Sequence, residues 1–270
     1  MGTPPASAGE VPFFVEFAFN RLLETSKEIN ENGRPRPEVT YRETLTRGLP
    51  GVRDTIAAAA VRSGRDPDAV TLVAVTKAHP LEAAQAALDL GLRELGENRV
   101  EELQWKAEAL AGTAVRWHMV GHVQRRKVPV LAGIPHLVHS IDSVRLAQRF
   151  SSVAVESGQP FRVLLQANTS GEGTKGGFSR DEVVEAIHEI VELPSLEIRG
   201  LMTMAPFTND EAVLRSTFRR LREVHETLRS ASAYEADQLS MGMTNDYQVA
   251  IEEGSTMVRI GTALFGARQP

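Results

Sequence analysis

Lys77 is the first residue whose type and position could support covalent chemistry. It closes the short apolar run Thr71–Thr76, and Pro80 follows three residues later. Lysine is depleted in buried strands because a desolvated ammonium group is costly unless it is paired or neutralised. Burial lowers the pKa of a lysine and makes its amine a nucleophile able to form a Schiff base. A lysine at a strand end can also simply extend into solvent, so Lys77 alone leaves both interpretations open.

Arg259 lies in the last apolar run of the chain. Strand alternation places Met257, Arg259 and Gly261 on one face of that run. If Val258 and Ile260 pack outward, Arg259 points into the centre of the fold. A buried guanidinium stays charged and needs a partner, which is either a structural carboxylate or an electron-rich ring nitrogen of a ligand.

Two segments near the C-terminal end of the chain combine hydroxyls with glycines. One contains Ser240, Gly242 and Thr244, and the other is Gly261–Thr262. Glycine lets a backbone N–H approach an anion closely, and hydroxyls add further donors. The two segments therefore predict a phosphate site, with ordinary tight turns and a helix cap as the alternative.

The elements that must position these residues alternate between strand-like and helical patterns from about Tyr41 onward. Repeated strand and helix without hairpin signals implies parallel strands joined by right-handed crossovers. The pattern predicts an α/β fold, a (β/α)8 TIM barrel over residues 41–270, with a doubly wound open sheet as the alternative. The predicted strands are Thr71–Lys77, Arg93–Glu97, Val115–Gly121, Leu137–Ile141, Phe161–Asn168, Glu197–Met204, Gln238–Met243 and Met257–Thr262.

In such a barrel the functional residues lie at the C-terminal ends of the strands. These ends carry Lys77, Asn98, Arg259 and the two segments of hydroxyls and glycines. An amine for a Schiff base, an anion site and an inward cation suit a ligand that combines an aldehyde, a phosphate and a ring nitrogen. The sequence therefore predicts pyridoxal 5′-phosphate (PLP) as the cofactor.

Six motifs together resemble the pyridoxal phosphate homeostasis protein family, whose single barrel is related to the N-terminal domain of alanine racemase. The resemblance covers about Val52 to Arg268. The motifs are Thr76-Lys-Ala-His-Pro80, Leu95-Gly-Glu-Asn-Arg-Val-Glu-Glu102, Trp117-His-Met-Val-Gly-His-Val-Gln124, Gly200-Leu-Met-Thr-Met204, Leu239-Ser-Met-Gly-Met-Thr-Asn-Asp246 and Gly254-Ser-Thr-Met-Val-Arg-Ile-Gly-Thr-Ala-Leu-Phe-Gly266.

The resemblance implies a fold-type III PLP-binding barrel and a role for each site residue. Lys77 would form the internal aldimine, Arg259 would face the pyridine nitrogen, and Asn98 would lie near the ring. The phosphate would be held by Ser240, Thr244, Gly261 and Thr262. Two departures stand out: Thr244 replaces a common serine but keeps the hydroxyl, and Val123–Lys127 differs from the usual loop.

The resemblance leads us to expect a PLP carrier with no catalytic residues. An arginine facing the pyridine nitrogen disfavours ring protonation and leaves a weak electron sink. The related racemases use a tyrosine from a C-terminal domain as second base, and the sequence predicts no such domain after Pro270. The alternatives are a low-activity PLP-dependent racemase or lyase, and an interaction module that uses the barrel only as a scaffold.

The histidines predict no metal site, because no pair at positions i and i+4 on a helix is accompanied by a glutamate. His118, beside Trp117 on a strand, is interpreted as a satisfied core or rim residue.

Composition narrows the remaining classes. The 270 residues are 42% hydrophobic and 24% charged, with a formal net charge of −5 and no cysteine. The negative net charge argues against general nucleic-acid or anionic-membrane binding. The lack of cysteine excludes disulfides and thiolate metal sites. No apolar run reaches 18 residues, so no membrane span is predicted. We expect a cytoplasmic monomer whose partners are PLP and PLP-dependent apoenzymes.

The first 40 residues are predicted to form an N-terminal extension outside the barrel. A Pro-rich start, a short amphipathic helix over Phe13–Ile29 and a linker over Asn30–Pro37 are expected there. The extension is predicted to be partly disordered.

Overall fold

Eight parallel strands close into a barrel in the computed structural model, which describes residues 40–171, 176–231 and 234–267. Each strand pairs with the next one along the chain, and the last strand pairs with the first. The strands are β1 (Thr71–Val75), β2 (Glu94–Glu97), β3 (Arg116–Met119), β4 (Leu137–Ile141), β5 (Phe161–Gln166), β6 (Leu196–Met202), β7 (Gln238–Met243) and β8 (Met257–Ile260).

Helices occupy most of the connections between the strands. The α-helices are α1 (Tyr41–Arg62), α2 (Leu81–Asp89), α3 (Val100–Ala109), α4 (Val144–Ser157), α5 (Arg180–Ile190), α6 (Glu211–Ala231), α7 (Tyr247–Glu252) and α8 (Thr262–Phe265). Two short 3₁₀ helices, Pro67–Ala69 and Arg125–Leu131, complete the described elements, the second standing between β3 and β4. None of the described helices has the length and apolar character needed to cross a membrane.

Helix starts follow local signals in the sequence. The Ser143 hydroxyl accepts a hydrogen bond from the Leu146 N–H at the start of α4. Ser179 and Glu182 form a reciprocal capping box at the start of α5, which satisfies backbone donors that the helix itself cannot. Pro80 directly precedes α2, at a position where its fixed φ suits the start of a helix.

The strands separate two hydrophobic clusters. Outward-facing residues such as Val258 and Ile260 belong to a large cluster shared with the helices. Inward-facing residues such as Val73, Leu164 and Met257 form a smaller cluster inside the barrel. Because side chains alternate along a strand, Arg259 falls on the inward face. The sequence-based placement of Arg259 inside the barrel is therefore confirmed.

The predicted (β/α)8 barrel is confirmed, and the open-sheet alternative is wrong because β8 closes on β1. Several strands are shorter than predicted: β1 ends at Val75, so Lys77 lies in the loop that follows. The expectations for the N-terminal extension fall on residues 1–39 and lie outside the described residues.

Gly242 occupies a position in β7 that a side chain would disrupt. Its φ is 98°, in the left-handed region that favours glycine. A Cβ atom placed there would lie 2.7 Å from the Ala250 Cβ and 2.9 Å from the Tyr247 Cα. The glycine lets β7 approach α7 closely.

We expect Gly242→Ala to lower the free energy of unfolding by about 2–4 kcal/mol, since a strained φ and an overpacked contact both act there. Gly64→Ala is the matched control, because Gly64 has φ 70° but nothing within 4 Å of the added Cβ. Urea unfolding of both variants separates the cost of the strained φ, which both share, from the cost of the overpacked contact, which only Gly242→Ala has. Equal losses in the two variants would contradict the steric argument.

Candidate functional site

A cavity of about 640 Å³ lies at the C-terminal ends of the strands. It collects six of the eight residues that the sequence predicts for the cofactor site. These are Lys77, Asn98, Thr244, Arg259, Gly261 and Thr262. The residues come from strand ends that are distant in the sequence, and closure of the barrel brings them together.

Lys77 is half-buried on the wall of this cavity, directly after β1. The next residue, Ala78, has φ 57°, which is uncommon for a residue with a side chain. The Ala78 N–H donates to Glu102 Oε2 at 3.2 Å. This contact holds the turn that follows Lys77 in an otherwise disfavoured conformation.

His79 fastens the same loop from the other side. Its imidazole is buried, with Nδ1 3.1 Å from the Tyr41 hydroxyl and the ring packed against Phe265. Tyr41 opens α1 and Phe265 ends α8, so the Lys77 loop is tied to both ends of the described barrel chain.

A buried ion pair lies beneath Lys77. Lys106 Nζ is 2.6 Å from Glu97 Oε1, and both side chains have no exposed surface. Lys106 also donates to the Thr76 carbonyl at 2.9 Å, and the Thr76 hydroxyl donates to Glu97 at 2.5 Å. Burial raises the pKa of Glu97 to about 7, although Lys106 and Thr76 act in the opposite direction. The pair cross-links the end of β1 to β2 and α3.

Arg259 forms the floor of the cavity. The guanidinium donates from Nη1 to the Ser240 hydroxyl at 2.5 Å and from Nη2 to the Thr203 carbonyl at 2.9 Å. Burial lowers the pKa of Arg259 to about 10, and the charge of Asp246 acts against this shift. Arg259 therefore remains a cation at neutral pH, held by a hydroxyl and a carbonyl rather than by an ion pair at contact distance.

The structure does not bring Ser240 and Gly242 to the cavity wall. Ser240 is fully buried, and its hydroxyl contacts Arg259 and lies 2.9 Å from His139 Nδ1. Gly242 serves the packing of β7 against α7. Neither residue is among those that line the cavity, so a direct contact with phosphate is not what this geometry favours for them.

Another part of the wall comes from the ends of β7 and β8. Thr244 and Asn245 lie in a turn closed by Asp246, whose carboxylate accepts from the Met243 N–H at 2.6 Å. Gly261 faces the Val75 carbonyl, which a Cβ would approach to 3.2 Å. Hydroxyls and backbone groups thus lie on the part of the wall next to Lys77, because β8 pairs with β1.

Sequence reasoning missed several residues around the site. His122 and Asp142 line the cavity and are paired, with His122 Nδ1 2.9 Å from Asp142 Oδ2. Gln166 also lines the cavity and donates to the Gly176 carbonyl at 2.7 Å. All three lie at or just after strand ends, which is the signal that could have identified them.

Comparison with known proteins assigns the chain to a family. The model of the alanine racemase N-terminal domain matches residues 56–269. The pyridoxal phosphate homeostasis protein of Pseudomonas aeruginosa is 40% identical over 83% of this chain and 96% of its own length. The Aquifex aeolicus protein of the same name is 38% identical over 82% of this chain and 97% of its own length.

The chain belongs to the pyridoxal phosphate homeostasis protein family. A solved structure of PipY from Synechococcus elongatus with PLP bound is 32% identical, with a TM-score of 0.70, and covers 80% of this chain and 100% of that one. The residues matched by the family model include all eight predicted site residues. The family resemblance stated from the sequence motifs is confirmed.

We expect Lys106→Met to lower the free energy of unfolding by about 3–5 kcal/mol at pH 8, because Glu97 would be left buried without its cation. Removing the cation raises the pKa of Glu97 further, so the carboxyl is neutral at pH 5 and the loss is smaller there. Urea unfolding at the two pH values checks both statements.

The double variant Glu97→Gln/Lys106→Met is the matched control, since it buries no charge at this position. It should be more stable at pH 8 than Lys106→Met. A double variant less stable than the single one would show that the pair does not act through charge.

Proposed function

We propose that this protein binds PLP through Lys77 and serves intracellular PLP homeostasis by buffering and delivering the cofactor, without turnover of its own. The observation that carries the proposal is the convergence of Lys77, Arg259 and the Thr244 and Gly261–Thr262 segments on one cavity. The recipients in this proposal are PLP-dependent apoenzymes, and the working form is a cytoplasmic monomer.

The residues present fit the chemistry of PLP. Lys77 supplies an amine for its aldehyde, and Thr244 and Thr262 supply hydroxyl donors for its phosphate. Arg259 supplies a fixed cation beneath the cavity. When bound, PLP would supply an aldehyde able to react with the Lys77 amine.

The names of the relatives support the same assignment. The curated relatives from Pseudomonas aeruginosa and Aquifex aeolicus are PLP homeostasis proteins, and PipY has been solved with PLP bound. The match covers 96% or more of each relative's own length, so the similarity extends over the whole barrel.

The character of Arg259 supports a carrier rather than a catalyst. A guanidinium that remains charged disfavours a second positive charge on a neighbouring ring nitrogen, which weakens the ring as an electron sink. In addition, none of Tyr41, Tyr234 and Tyr247 lines the described cavity. Tyr234 instead pairs with His225 on the outer side of the barrel, where burial raises its pKa.

Titration of the purified protein with PLP tests the covalent attachment. We expect a Schiff-base absorption band in the wild type and in Lys127→Ala, and its loss in Lys77→Ala. Lys127 is a suitable control because it is paired with Glu101 outside the cavity. Borohydride reduction followed by peptide mass analysis locates the modified lysine. A persistent reducible band in Lys77→Ala would disprove the assignment.

A PLP-dependent racemase or lyase of low activity is the second candidate. The His122–Asp142 pair favours it, because a paired imidazole on the cavity wall is a suitable proton acceptor. The carrier proposal predicts no exchange of deuterium into the Cα position of amino acids in the presence of PLP. Exchange that disappears in His122→Ala but persists in Lys127→Ala would establish the enzyme instead.

A further inference from the structure

A chain of hydrogen-bonded side chains crosses the interior of the barrel. Arg259 donates to the Ser240 hydroxyl at 2.5 Å, and this hydroxyl lies 2.9 Å from His139 Nδ1. His139 Nε2 lies 2.9 Å from His118 Nδ1. His118 Nε2 lies 2.8 Å from Glu94 Oε2. The five residues come from β8, β7, β4, β3 and β2.

The chain joins the two ends of the barrel. Arg259 lies at the cavity, whereas Glu94 begins β2 at the opposite end and its side chain is 14% exposed. Exposed Arg116 donates to the same carboxylate from Nε at 2.6 Å. The three residues between the ends are buried: His118 is 1% exposed, and His139 and Ser240 are not exposed at all.

The chemistry of the two ends fixes the direction of every bond between them. A guanidinium can only donate, and an ionised carboxylate can only accept. With both imidazole rings neutral, His118 donates from Nε2 to Glu94 and accepts at Nδ1 from His139 Nε2. His139 then accepts at Nδ1 from the Ser240 hydroxyl, which in turn accepts from Arg259.

The charges of the surrounding groups agree with this arrangement. Burial, together with the charge of Arg259, lowers the pKa of His139 well below 6.5, so its ring is neutral. Burial alone would raise the pKa of Glu94, but hydrogen bonds from His118 and Arg116 lower it to about 2, so it is a carboxylate. Asp246 faces Arg259 and favours its charged form. His136 lies edge-on to His118 and is exposed.

We infer that His139 and His118 are positioning residues for the cofactor, acting through Ser240 to hold the Arg259 guanidinium beneath the cavity. This role rests on the proposed function. Because His139 Nδ1 accepts a hydrogen bond from the Ser240 hydroxyl, the oxygen lone pairs of Ser240 are directed toward Arg259. The Thr203 carbonyl fixes the other nitrogen of the guanidinium, so its plane is set from two sides.

The direction of the chain can be tested in wild-type protein without PLP. Long-range ¹H–¹⁵N spectra of the ¹⁵N-labelled protein at pH 8 should show both His118 and His139 as neutral rings protonated on Nε2. A ring protonated on Nδ1 at either position would overturn the assigned direction. This measurement uses the wild-type protein without PLP and requires no substitution. Its result is therefore independent of the proposed function.

The positioning role is tested by PLP affinity, measured by equilibrium dialysis. His139→Leu and Ser240→Ala should each weaken PLP binding roughly tenfold or more, because a hydrogen bond to a charged group is lost or misdirected. His139→Gln should recover most of the affinity, since its amide oxygen and nitrogen can accept from Ser240 and donate to His118. His136→Leu is the matched control and should bind like the wild type.

Two results would overturn the role. One is His139→Leu and Ser240→Ala binding PLP as tightly as His136→Leu, and the other is His139→Gln binding no better than His139→Leu. If the wild type itself binds no PLP, the proposed function fails and the positioning role fails with it. The histidine protonation states still decide the direction of the chain in that case.

Discussion

A guanidinium enclosed in a protein must find its hydrogen-bond partners inside the protein, and this constraint organises the barrel interior. Arg259 cannot lose its charge at neutral pH, and desolvating it is costly unless neighbouring groups compensate. Its contacts come from two other strands, the Ser240 hydroxyl of β7 and the Thr203 carbonyl just after β6. The Ser240 hydroxyl then needs an acceptor for its own hydrogen bond, which His139 provides. His139 in turn contacts His118, and His118 contacts the Glu94 carboxylate.

The interior is therefore divided between an apolar cluster and one polar path. Val73, Leu164 and Met257 fill much of the space, as branched and flexible side chains do in barrels of this type. The polar path takes positions that the same strands could have filled with hydrophobic residues. A partly satisfied buried network costs more than an apolar core, and each member of this path is hydrogen-bonded to the next.

A second buried charge supports the loop that carries Lys77. Lys106 and Glu97 lie directly beneath the Lys77 turn and tie its backbone to β2 and α3. The Arg259 guanidinium is itself a buried charge at the cavity, and the Lys106–Glu97 pair is a buried charge pair next to the Lys77 turn. The arrangement suits a binding site that needs fixed geometry, because buried ionic contacts leave few alternative conformations of similar energy.

The fold and the presence of Lys77 and Arg259 at the cavity could be predicted from local patterns. Alternation along β8 places Arg259 inside, and the Pro80 signal ends the Lys77 loop where α2 begins. The same reasoning did not distinguish Ser240 from Thr244, because both carry a hydroxyl near the end of β7. Their difference depends on depth: Ser240 is enclosed by neighbouring strands, whereas Thr244 lies in the turn above them.

By itself the sequence determined the (β/α)8 architecture and the family, and it proposed a set of groups for PLP, because these follow from periodicity and from residues within short motifs. Tertiary structure alone decided which groups meet inside the barrel. Glu94, His118 and His139 are unremarkable in isolation, and the pairing of Lys106 with Glu97 spans two different elements. Such contacts depend on strand register and barrel closure, which bring together side chains that are far apart in the sequence, such as His139 and Ser240, 101 residues apart. No local pattern encodes that proximity.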